Sequence, residues 1–167
     1  MPLNPPLIGR RGAKARALPI PLLLGAVFDN GGKMTTPKAV PAAVEAYIAE
    51  LRGACQEISS IWLFGSRANG TERAESDWDL LSFGSEAVLG RLRQRADLER
   101  NEFDVLVVID GDNFKRPWPA RTGGGSLLSE WAWHPTSETT ATYRATKRGH
   151  GEFDVQSFTA SARRLWP

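Results

Sequence analysis

The chain has 167 residues, 41% of them hydrophobic and 24% charged, with a formal net charge of +2. That is one domain's worth of sequence, enough for a core of its own, and no stretch is long and apolar enough to span a bilayer. Cys55 is the sole cysteine, which excludes an intrachain disulfide and a cysteine-based metal cluster and fits a reducing cytoplasm.

The charge is unevenly spread. Arg10, Arg11, Lys14, Arg16 and Lys33 against Asp29 give residues 1 to 33 a charge of +4, which leaves −2 for residues 34 to 167. A slightly acidic body argues against general nucleic-acid binding, which needs a basic face. The same first segment holds Pro2, Pro5, Pro6, Pro19 and Pro21 and shows no helical or strand period. Leu18 to Leu24 imitates a secretory signal, but Pro19 and Pro21 interrupt the apolar run and no small-x-small cleavage site follows. Gly31-Gly32-Lys33-Met34 must be encoded GGN-GGN-AAR-ATG, a purine-rich string compatible with a bacterial ribosome-binding site before a start codon. Residues 1 to 33 are therefore expected to be a disordered or untranslated leader rather than a targeting peptide. The domain is expected to run from 34 to 149, and 150 to 167 form a tail whose structure the sequence leaves undecided.

From Met34 the elements alternate. Val44, Tyr47, Ile48, Leu51, Cys55 and Ile58 recur at helical spacing and predict an amphipathic helix over 39 to 57. Ile61, Trp62, Leu63 and Phe64 read as a buried strand over 60 to 64, after which Gly65 allows a sharp turn where a side chain would obstruct a phosphate. Ser66 opens a short helical stretch whose free N–H groups would face an anion. Taken alone, Gly65 could be a plain turn glycine and Ser66 a plain helix cap. Arg67 could brace a phosphate or pair with a carboxylate. A strand over 78 to 83 follows, and its period of two sets Asp77 and Asp79 on one face with Trp78 and Leu80 on the other. Two carboxylates about 7 Å apart along a strand can share a pair of divalent cations.

A helix is expected near 86 to 97, with Arg91, Arg93 and Arg95 on a solvated face, and then a strand over 103 to 109 bearing Asp104. Asp110-Gly111-Asp112 repeats the Asp-x-Asp pattern, but its central glycine and Asn113 mark it as a turn. Thr122 to Ser126 is a loop, either a linker or a segment able to close over a substrate. Trp131 and Trp133 are expected on one face of an extended segment, packed on the core. A last helix is expected from near Ser137 to Lys147, capped by Thr136 or Ser137. His134 and His150 are isolated and have no neighbours at metal-ligand spacing.

The ordered set Phe64-Gly65-Ser66-Arg67-Ala68, Ser76-Asp77-Trp78-Asp79-Leu80 and a third carboxylate at Asp104 resembles the DNA polymerase beta-like nucleotidyltransferase superfamily, and within it the small, single-domain minimal nucleotidyltransferases. The likeness covers roughly residues 40 to 110 and departs from the common wording at Asn69, where a basic residue is frequent, and at Trp78, where a smaller aliphatic residue is usual. It implies an α/β (α+β) fold, a small mixed sheet with flanking helices in a single domain. It also implies metal-dependent transfer of a nucleoside monophosphate, AMP from ATP or a related unit from another nucleoside triphosphate, to a hydroxyl acceptor. Asp77, Asp79 and Asp104 would hold two Mg²⁺ ions and act catalytically, and Gly65, Ser66 and Arg67 would bind the nucleotide. The acceptor is unassigned, a small molecule or a protein tyrosine, since only some 50 residues follow Asp110. The alternative reading is an antitoxin that binds or nucleotidylates a small helical toxin. Cytoplasmic location follows from the need for nucleoside triphosphates.

Overall fold

The computed structural model describes residues 27–28, 34–35, 39–118, 126–148 and 154–167. The expected leader over 1 to 33 and the Gly-rich segment 122 to 126 lie mostly outside the described residues. The chain divides into two units, Met1–Ala39 and Val40–Pro167. In the first, β1 (Val27–Phe28) pairs antiparallel with β2 (Met34–Thr35).

The second unit opens with α1 (Ala42–Ala54), which starts immediately after Pro41 and buries Val44, Tyr47, Ile48 and Leu51, the apolar stripe of the sequence. Then come β3 (Ser60–Phe64), α2 (Gly65–Asn69), β4 (Trp78–Phe83), α3 (Glu86–Arg93) and a 3₁₀ turn at Ala96–Leu98. They are followed by β5 (Phe103–Ile109), β6 (Asn113–Lys115), β7 (Ser126–Leu127), β8 (His134–Pro135), β9 (Thr140–Arg148) and β10 (Val155–Trp166). Among the described residues these strands form an eight-stranded mixed sheet in the order β7-β6-β5-β4-β3-β10-β9-β8. Only β4 and β5 run parallel, and α3 supplies the crossover that such a pair requires. The α/β mixed sheet with flanking helices expected from the sequence is thus the fold of this unit.

The sheet has two unlike faces. Ile61, Leu63, Leu80, Val105 and Val107 pack under α1 and α3, against Tyr47, Leu51, Leu89 and Leu92. Tyr47 anchors this side by stacking on Phe103 at 3.9 Å between ring centroids and donating its hydroxyl to the buried Leu98 carbonyl at 2.8 Å. Burial pushes that phenol well above its usual range. Among the described residues the opposite face has no helix. Trp62, Phe64, Leu81, Leu106, Val108 and Tyr143 are covered instead by Leu128, Trp131 and Trp133 from the segment between β7 and β8. Trp131 and Trp133 pack as expected, but on a turn with Ala132 at φ +50° rather than on an extended segment.

The helix expected over 137 to 147 is instead β9, a correction with a local cause. Ser137 Oγ accepts the N–H groups of Thr139 and Thr140 at 3.1 and 3.0 Å, the bonding of a helix cap used here to close a turn. The residues that follow alternate, with Ala141 and Tyr143 buried and Thr142 and Arg144 less so, and their β-branched and aromatic content suits a strand. β10 then occupies an interior place between β3 and β9, and the segment the sequence left open becomes a structural strand. No helix among the described residues is long and apolar enough to cross a membrane.

Tyr47→Phe keeps the stacked ring and orphans the Leu98 carbonyl, so it should cost about 1–3 kcal/mol, whereas Tyr47→Ala should cost about 3–5 kcal/mol. Urea denaturation of both variants checks the order, and equal losses would show that the hydroxyl contributes nothing.

Candidate active site

β3 delivers Phe64 to the end of the sheet, and the chain then turns at Gly65 with φ +72°. A Cβ at this position would stand 2.0 Å from Asp79 Oδ2. Conformation and space therefore each require glycine here, because the Asp79 carboxylate lies directly against the turn. The Gly65 N–H donates to the Tyr143 hydroxyl at 2.9 Å. Burial, with a smaller contribution from the Asp79 charge, raises the pKa of Tyr143, so it remains a neutral hydroxyl beside the turn.

α2 begins at this turn, with Phe64 in the capping position and no side-chain cap bond. Ser66 lies inside the first turn, so the reading of Ser66 as a helix cap finds no bond to support it. Asn69, at the other end, donates its amide to the carbonyls of Gly65 at 2.7 Å and Ser161 at 3.3 Å, and its Oδ1 accepts the Ser161 N–H at 2.8 Å. Arg67 donates Nε to the carbonyls of Ser76 at 2.8 Å and Asp77 at 3.2 Å, and its guanidinium lies 4.4 Å from the centre of the Trp78 ring. Arg67 therefore grips the loop that leads into β4. Trp78, the bulky departure noted in the sequence, gives that guanidinium a surface and packs against the helix-side core.

Asp79 and Asp104 come together through strand register. Asp79 on β4 is opposite Phe64 on β3 and opposite Asp104 on β5, and Asp77 immediately precedes β4. Adjacent strands lie about 4.8 Å apart, so Asp79 and Asp104 are near neighbours. Both line a cavity of about 390 Å³ together with Arg116, Ser126 and the apolar Phe64, Leu106, Phe114 and Trp131. Arg116 grips Asp104 through two bonds, Nη2 to Oδ2 at 2.8 Å and Nε to Oδ1 at 3.1 Å, with 26% of the arginine and 14% of the aspartate side chain exposed. These hydrogen bonds, with the Asp79 charge adding to them, raise the Arg116 pKa further. By contrast, Asp110 and Gly111 turn the chain at φ 54° and 76°, and Asp112 accepts the N–H and hydroxyl of Ser129 at 2.7 and 3.0 Å. The second Asp-x-Asp is a turn, as its glycine indicated.

Among the described residues no three His, Cys, Asp or Glu side chains are gathered closely enough to hold a metal ion. The donor set still suits a hard divalent cation in kind: two carboxylates in register share one cavity, and one of them is pressed against a glycine turn.

Sequence reasoning missed Arg116 and Tyr143. The turn at 110 to 112 was legible, and following it into a hairpin would have returned Arg116 to the neighbourhood of Asp104, since Val107 pairs with Lys115. Tyr143 carried no local signal, because its strand was read as a helix and it meets Gly65 across 78 positions of sequence.

Gly65→Ala and Gly70→Ala form a controlled pair, since Gly70 also has positive φ, +68°, but open space around it. Gly70→Ala should lose roughly 1–2 kcal/mol from its backbone conformation, and Gly65→Ala distinctly more because Asp79 must also move. Thermal unfolding checks this, and similar losses would mean that Asp79 does not press on the turn.

Comparison with known proteins comes to the same segment. Residues 47–114 match the family model described as polymerase beta, nucleotidyltransferase. No curated protein matches the chain. Among solved structures, a candidate nucleotidyltransferase from Sulfolobus solfataricus overlaps 55% of this chain and 89% of its own, at 20% identity and a TM-score of 0.35, too loose an overlap to weigh. The matched span reaches from Tyr47 to Phe114 and takes in the glycine turn and all three aspartates, so residues 47–114 of this chain are a polymerase beta-like nucleotidyltransferase segment.

Proposed function

We propose that this nucleotidyltransferase moves a nucleoside monophosphate, AMP from ATP in the simplest case, to a hydroxyl acceptor with the help of divalent cations. The observation that carries the reading is Asp79, which lies against the Gly65 turn and shares one cavity with Asp104, its partner in strand register. Mg²⁺ ions bound there would offset charge on the transferring phosphoryl group and on the departing pyrophosphate. Asp77 and Asp79 hold the cation side of the site. Asp104 accepts the proton of the acceptor hydroxyl as its oxygen bonds to the α-phosphorus and pyrophosphate leaves. Ser66 and the N–H groups of the glycine turn hold the outer phosphates, with the Tyr143 hydroxyl yielding the Gly65 N–H or bonding the phosphate beside it. Arg67 serves as a positioning residue, because its hydrogen bonds fix the loop before Asp77.

Asp77→Asn, Asp79→Asn and Asp104→Asn should each abolish Mg²⁺-dependent release of pyrophosphate from ATP while leaving the fold in place, whereas Asp112→Asn should leave transfer intact. The assay supplies labelled ATP, Mg²⁺ and cell lysate as the source of acceptors. Label in a small-molecule fraction identifies a metabolite acceptor, and label in a protein band identifies a protein acceptor such as a toxin partner. Undiminished transfer by Asp79→Asn would overturn the proposal.

Ser66→Ala separates phosphate binding from folding. It should change stability by no more than about 0.5 kcal/mol, as for a half-buried position outside a cap, while weakening ATP binding measured by calorimetry. Unchanged affinity would remove Ser66 from the site.

A further inference from the structure

The Asp104–Arg116 pair occupies an unusual place. Both residues line the cavity of about 390 Å³ that holds Asp79 and Trp131, and both line a second cavity of about 270 Å³ bounded by Arg100, Phe103 and Trp118. The pair is common to the two spaces. It joins β5, within the family-matched span, to the residue immediately after β6, just beyond that span. Two carboxylates in register on adjacent strands repel each other, and the repulsion is larger where side chains are partly withdrawn from water. Arg116 offsets this at Asp104 with a bidentate grip, the geometry in which a guanidinium binds carboxylate or phosphate best.

A guanidinium and a divalent cation therefore compete for the same Asp104 oxygens. A cation that wins them releases an arginine beside the place where an anionic ligand would enter. Resting on the nucleotidyltransferase reading above, we propose that Arg116 is an exchangeable counter-ion: it neutralises Asp104 until a divalent cation takes that carboxylate, and then passes to the triphosphate. Cation and triphosphate thereby favour each other's binding beyond their direct attraction, and the empty site carries less uncompensated negative charge. Lysine would carry the charge but not the two-pronged grip, so Arg116→Lys should preserve the exchange only in part.

The test measures binding by the purified full chain. Mn²⁺ is titrated alone by electron paramagnetic resonance, and inorganic triphosphate is titrated by calorimetry with and without Mn²⁺. Arg116→Gln removes the competitor and should tighten Mn²⁺ binding, while weakening triphosphate binding in the presence of Mn²⁺ by roughly tenfold or more, the scale of one lost charged contact. Asp104→Asn should do the reverse, weakening Mn²⁺ and strengthening triphosphate binding without metal, because it frees the guanidinium. A purely structural ion pair would not give opposite signs for the two ligands. Thermal melting identifies any variant that fails to fold, and Arg116→Lys then supplies the same comparison with the charge retained. If wild type binds Mn²⁺ and triphosphate but Arg116→Gln changes neither, or weakens both together, the exchange is overturned and the nucleotidyltransferase reading stands. If wild type binds neither ligand, that reading falls and the exchange with it.

Discussion

The parallel pairing of β4 and β5 is the constraint on which the rest of this site depends. It sets Asp79 opposite Asp104, although 25 positions of sequence separate them, and a slip of one residue would turn one carboxylate toward the helix-side core. The register is held from the apolar side. Leu80, Val105 and Val107 are buried beneath α1 and α3, and exposing any of them would cost more than two exposed aspartates could recover. The candidate site lies on one face of the sheet because hydrophobic burial fixes the other.

The glycine turn is fastened by parts of the chain far beyond it. Tyr143 of β9 accepts the Gly65 N–H, and Asn69 forms two bonds with Ser161 of β10. Both partners lie outside the matched span of 47–114. The β9–β10 hairpin therefore completes a loop that the superfamily segment only begins, and Asn69, an oddity in the motif, becomes intelligible as the residue that reads the β10 backbone. Arg67 plays the corresponding part on the other side by holding the loop before Asp77.

Charge balance follows from the same arrangement. Side-by-side carboxylates at the edge of an aromatic-lined cavity need a counter-charge, and the protein supplies Arg116 from the strand return after the 110 to 112 turn. The aromatic cover matters here as well: Trp131 lies against Phe64, Phe114 and Tyr143 with ring centroids 5.5, 4.6 and 5.9 Å apart, which keeps that wall apolar and strengthens nearby electrostatics.

The sequence by itself determined the elements from 42 to 109 closely. The helical stripe from Val44 to Leu51, the apolar run ending at Phe64 and the strand from Phe103 each carry a local period, and local periods survive folding. It also singled out the candidate site residues, since a glycine turn and ordered aspartates are legible without a partner. Tertiary structure alone decided three things. It made 140 to 148 a strand, because Ser137 offered the same capping bonds to a helix or a turn and pairing with β10 favoured the turn. It chose Tyr143 and Ser161 to secure the loop. It also placed Arg116 on Asp104, an ion pair set by hairpin register and burial, neither of which has a signature within a short window of sequence.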